Sequence, residues 1–98
     1  MNVSEYLEKT REEIPGYDML NIRPAIKCSD GFEVSVQASK THYSRPRLNY
    51  GPYSHVEAGY PSLPVPEWDK WEQDGIYPFI PIEIVDQVLE EHGGIINV

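Results

Sequence analysis

The chain has 98 residues, 40% hydrophobic and 11% aromatic, which suffices for one hydrophobic core and excludes both two independent domains and wholesale disorder. Sixteen Asp and Glu against eight Lys and Arg give a formal net charge of −8, without the basic footprint that general nucleic-acid binding requires. A single cysteine, Cys28, leaves no internal disulfide, and no apolar run approaches the roughly 20 residues of a membrane helix.

Residues 2–14 have helix-forming composition, with Val3, Tyr6, Leu7 and Ile14 as a thin apolar stripe and early acids that suit the helix dipole. Pro15-Gly16 is its stop signal. Ala25, Ile26, Lys27 and Cys28 then lead into Ser29-Asp30-Gly31, a strong hairpin signal. The returning strand alternates: Phe32, Val34, Val36 and Ala38 point to one face, and Glu33, Ser35, Gln37 and Ser39 to the other. A packed face and an open polar face are therefore expected. Residues 40–54 have no period and read as a loop, and residues 55–60 form a third strand with Val56, Ala58 and Tyr60 on the buried face.

Pro61, Pro64 and Pro66 enforce an extended connection. Residues 67–73 form one or two helical turns carrying Trp68 and Trp71, ended by Asp74-Gly75. Pro78 confines residues 76–80 to an edge or irregular strand. Pro81 opens a last helix with Ile82, Val85, Val88 and Leu89 as its stripe, and Gly93-Gly94 caps it beside His92. The reading is a single α+β domain, residues 1–98: a small, mainly antiparallel sheet of three to four strands with an N-terminal and a C-terminal helix packed on it.

One segment inverts the sign of the chain. Residues 37–47, Gln-Ala-Ser-Lys-Thr-His-Tyr-Ser-Arg-Pro-Arg, hold three of the eight cations and no carboxylate. Guanidinium forks there suit phosphate or carboxylate, and Tyr43, Tyr50 and Tyr53 offer faces on which a base stacks. Gln37, Ser39, Lys40, His42, Tyr43, Arg45 and Arg47 are the candidate ligand residues, with Glu57 orienting His42 or an arginine. The alternative is that Arg45 and Arg47 pair with surplus carboxylates and only tie the loop down. His42, His55, Glu57 and Glu33 have the chemistry of a two-His-one-carboxylate centre, but nothing in their spacing fixes a third ligand, and no metal or cofactor is assigned. No nucleophile–base order or phosphate-cradling glycine loop points to an enzyme. Cys28 reads as a buried thiol, and the Trp68/Trp71 pair either covers a core edge or forms a recognition patch.

The blocks Asp30-Gly31-Phe32-Glu33-Val34-Ser35-Val36-Gln37-Ala38-Ser39, His42-Tyr43-Ser44, Pro46-Arg47, Val56-Glu57-Ala58-Gly59-Tyr60-Pro61-Ser62 and His92-Gly93-Gly94-Ile95 resemble a group of small uncharacterised bacteriophage and prophage proteins. The likeness runs from Arg23 onward and brings no chemical activity with it. Members of that group carry Cys after the Tyr, where this chain has Ser44, so a ligand or nucleophile role there is put in doubt. The resemblance implies an accessory protein made in the cytoplasm of an infected bacterium to counter host defence. The N-terminal residues 1–13, too acidic and too polar for a signal peptide, agree with a cytoplasmic site.

Two functions follow. In the first, the chain captures a small anionic, nucleotide-type ligand. In the second, its acidic surface inhibits a host defence protein such as a nucleic-acid-binding nuclease, by occupying a basic groove. Neither involves direct nucleic-acid or membrane binding, and a homo-oligomer is expected of a domain with so modest a core.

Overall fold

The computed structural model describes residues 1–11 and 22–97. In chain order they form helix α1 (Val3–Lys9), strands β1 (Ile26–Lys27), β2 (Glu33–Gln37) and β3 (His55–Gly59), a 3₁₀ helix (Pro66–Trp71), strand β4 (Ile76–Pro81) and helix α2 (Ile82–Glu91). The strands make one antiparallel sheet in the order β1-β2-β3-β4. This is the α+β architecture read from the sequence.

Two Asp-Gly pairs turn the chain differently. At Ser29-Asp30-Gly31, the Gly31 amide donates to the Cys28 carbonyl (3.0 Å) and the Cys28 amide to that of Phe32 (2.8 Å), a three-residue loop with Gly31 left-handed at φ 95°. Asp74 and Gly75 both take positive φ (51° and 89°), and Gln73 and Ile76 exchange both backbone hydrogen bonds (2.8 and 3.0 Å). That is a two-residue hairpin turn, not merely the end of a helical turn as the sequence suggested.

The alternating strand buries Phe32, Val34, Val36 and Ala38 as expected, against Val85, Val88 and Leu89 of α2 and Val3, Tyr6 and Leu7 of α1. Three expectations are corrected. Helix α1 ends at Lys9, where Thr10 leaves the helical conformation (φ −101°, ψ 6°) and its hydroxyl bonds the Tyr6 carbonyl (2.6 Å); residues 12–14 and the Pro15-Gly16 stop lie outside the described residues. Tyr60 is 80% exposed rather than buried, since its left-handed φ of 53° breaks the strand alternation. Gln37 and Ser39 are buried, so the second sheet face is not open where they sit. The segment carrying Arg23 covers it: the Arg23 amide donates to Gln37 Oε1 (2.8 Å) and Gln37 Nε2 to the Arg23 carbonyl (2.8 Å).

Both helices are fastened at their ends. Asn2 and Glu5 form a reciprocal cap on α1, their side chains accepting each other's backbone amides at 2.8 and 3.1 Å. His92, closing α2, stacks on Phe32 (4.0 Å between ring centroids) and places Nδ1 2.6 Å from the Asp30 carboxylate. Gly93 adopts a left-handed φ of 89°, where a side chain is strained, and a Cβ there would also displace the Ser29 hydroxyl.

Asp86 of α2 accepts the Val3 amide at the start of α1 (2.8 Å). Burial, followed by repulsion from Glu90, Glu83 and Glu5, nonetheless raises its pKa above 3.8. The charged form therefore costs the fold stability above that pH, and the cost disappears as pH falls below 3.8. Asp86→Asn keeps an acceptor for Val3 and removes the charge. It is expected to melt a few degrees above the parent at pH 7, with the gap closing toward pH 4 in calorimetry; a variant melting lower at pH 7 contradicts this account.

Candidate functional site

The loop between β2 and β3 is tied down from inside. Ser44 is buried, its hydroxyl bonding the carbonyls of Ser39 (3.2 Å) and Pro46 (3.0 Å). Arg45 pairs with the start of β3, its amide donating to the His55 carbonyl (3.0 Å) while its own carbonyl accepts from Ser54 (2.9 Å). The Arg45 and Arg47 side chains themselves are exposed.

An irregularity in β4 completes the site. Val56 pairs with Ile80 and Ala58 with Tyr77, so two residues, Pro78 and Phe79, face Glu57 alone. Pro78 has no amide to donate, and Phe79 adopts a left-handed φ of 53°, a strained conformation for an aromatic residue. The Phe79 amide consequently turns away from β3 and donates to the Tyr43 carbonyl (3.1 Å). On its other side, the Tyr43 amide donates to Glu57 Oε1 (3.0 Å). An exposed aromatic residue is thus held through both its backbone groups, by two strands.

Around this clamp the rings and cations interleave. The Tyr43 and Phe79 rings lie 5.6 Å apart; the Arg45 guanidinium sits 5.0 Å over Phe79 and that of Arg47 5.4 Å over Tyr43. Among the described residues neither guanidinium has a carboxylate partner, so the ion-pair alternative for Arg45 and Arg47 is not what the structure contains. Beside the rings runs a groove of about 500 Å³, lined by the apolar Ile76 and Pro78, by Tyr43, Phe79 and Trp71, and by the polar Lys70, Gln73 and Asp74. That volume suits a small organic ligand. Lys70 stands 4.5 Å over the Trp71 ring.

The residues singled out from sequence separate into two sets. Tyr43, Arg45 and Arg47 come together on the surface, with Glu57 behind them as the Tyr43 clamp rather than as a partner of an arginine. Gln37, Ser39 and His42 lie inward: Ser39 is fully buried, and its hydroxyl lies 2.6 Å from His42 Nδ1 and 3.1 Å from Thr41 Oγ1. Burial holds the His42 pKa below its ordinary value, Arg23 adding to the shift and Glu57 opposing it. A neutral ring buttressing the loop follows. Lys40 is exposed, its amide bonded to Asn49 Oδ1 (2.9 Å).

Arg23 is buried, its guanidinium donating to the carbonyls of Leu7 (3.0 and 3.2 Å) and Ala38 (2.6 Å), so a cation caps the negative end of α1. His55 Nδ1 lies 2.8 Å from Ser54 Oγ, and among the described residues no three His, Cys, Asp or Glu side chains are placed to hold a metal ion. Cys28 is buried, and burial followed by Asp30 raises its pKa, so the thiolate is disfavoured. No helix of the structure is long and apolar enough to cross a membrane.

Comparison of the chain with protein-family models, with curated proteins and with solved structures returns no match.

Proposed function

We propose that the chain is a bacteriophage accessory protein that captures a small anionic, nucleotide-type ligand and so withholds a signal from host defence. The observation that carries this reading is the pair of exposed guanidinium groups, each laid on an aromatic face and unpaired with any carboxylate among the described residues. A guanidinium over a ring keeps N–H donors at its edges, and such a fork binds phosphate bidentately. The adjoining aromatic groove offers stacking to a base. The site lies on the Tyr43–Phe79 clamp, displaced from the sheet face that Gln37 and Ser39 occupy.

Capture without turnover, in the bacterial cytoplasm, is the activity proposed, and the thermal-shift response to a ligand panel tests it. Nucleoside mono- and diphosphates at 100 times their Kd are expected to add about 2.7 kcal/mol, raising the melting temperature by roughly 10–20 °C. The uncharged nucleosides should shift it far less, and the bound molecule should be recovered unchanged after denaturation. The absence of a shift with every nucleotide overturns the proposal. The net charge of −8 favours the second reading, an acidic inhibitor of a host protein, which instead predicts inhibition that weakens steeply with salt.

A further inference from the structure

The two sides of the groove differ in chemistry. On one side are Tyr43 and Phe79, over whose rings the Arg47 and Arg45 guanidinium groups lie, although neither arginine lines the groove itself. The Trp71 side carries Gln73 and Asp74, whose side chains have no hydrogen-bond or ion-pair partner among the described residues. Asp74 is the first residue of the two-residue turn into β4, a rigid position whose backbone is fixed by the paired hydrogen bonds between Gln73 and Ile76. A carboxylate in an anion-binding groove repels the anion unless it serves a donor on the same ligand. Lys70 lines the same stretch of the groove and stands over Trp71.

Resting on the nucleotide reading above, we infer that the Asp74 carboxylate, with the Gln73 amide beside it, selects a purine nucleotide bearing an exocyclic amino group. The phosphate lies on the Arg45 and Arg47 forks, the base stacks along Phe79 and Trp71, and the amino N–H donates to Asp74. The exposed Asp74 carboxylate exchanges water for that donor and gains no hydrogen bond from a ring C–H, which makes the contact discriminating.

Two ligand pairs isolate the amino group, because each replaces it with hydrogen and changes nothing else: AMP against purine riboside 5′-monophosphate, and GMP against IMP. In at least one pair the amino-bearing member is expected to bind about 5–150-fold tighter to the parent protein by calorimetry. The pair that responds identifies the base. Asp74→Gly, which takes the left-handed turn freely and offers no side-chain acceptor, should level that preference while leaving the affinity for inorganic pyrophosphate unchanged. Equal binding within both pairs, or a preference that survives Asp74→Gly, overturns the inference and leaves the nucleotide reading standing. If neither nucleotides nor pyrophosphate bind at all, both fall.

Discussion

Replacing Arg45 and Arg47 together by alanine is expected to weaken nucleotide binding by about 10²–10⁴-fold while leaving the melting temperature of the free protein almost unchanged. Each guanidinium supplies charge-assisted hydrogen bonds worth about 1.5–3 kcal/mol, and a factor of ten corresponds to about 1.4 kcal/mol, so each single variant should lose about 10–100-fold. The small stability effect follows from the same geometry that recommends the site. Both residues are exposed, with their guanidinium groups over the Phe79 and Tyr43 rings, and exposed substitutions of this kind stay within about 0.5 kcal/mol. Arg→Lys exchanges sharpen the test, since lysine keeps the charge but neither lies flat on a ring nor presents a fork. They are expected to recover only a minor part of the affinity. Calorimetric titration decides the matter: single alanine variants that bind like the parent remove the anion site.

Most of the fold was legible because it rests on local rules. The period of two in Phe32, Val34, Val36 and Ala38, the Asp30-Gly31 turn and the stripe of Val85, Val88 and Leu89 each follow from pattern alone, and all these apolar residues are buried. The cap formed by Asn2 and Glu5 was equally readable, as a side-chain acceptor followed three residues later by Glu, and was missed. The site was half legible. A run of eleven residues without an acid drew attention to Arg45 and Arg47, but nothing local says that Gln37 turns inward to the Arg23 backbone.

Phe79 escaped notice, Trp71 was read only with Trp68 as a core edge or recognition patch, and Asp74 only as the end of a helical turn, because all three reach the loop through the register of β4 on β3, a long-range property. One signal was available: Pro78 in a short apolar strand implies a disrupted ladder, and a disrupted ladder re-aims the residue beside it. The second Asp-Gly pair was another, since the chemistry that turns the chain at residue 31 also turns it at residue 75.

The largest stability effect expected is that of Trp68→Ala. Trp68 is fully buried, packs edge-on against Tyr77 with ring centroids 5.3 Å apart, and directs its indole N–H at the Ile84 carbonyl (3.5 Å). It is the only buried residue of the 3₁₀ helix, which has no side-chain cap at its N-terminus. Such a segment has little intrinsic stability and is held by its anchor. Truncation to alanine leaves an indole-sized void and should cost about 3–5 kcal/mol, or roughly 12–40 °C in melting temperature. Against a total of about 5–15 kcal/mol for a domain, that brings the chain close to unfolding, so Trp68→Phe, keeping part of the volume, serves as the folded comparison. The substitution reaches the site as well, because Trp68 holds in place the segment that carries Lys70, Trp71 and the Asp74 turn. Nucleotide affinity should therefore fall in Trp68→Phe although no residue lining the groove has changed. Guanidinium titration and binding measured on the same samples test the coupling, and a loss below about 1.5 kcal/mol with affinity intact would show that the groove stands without its anchor.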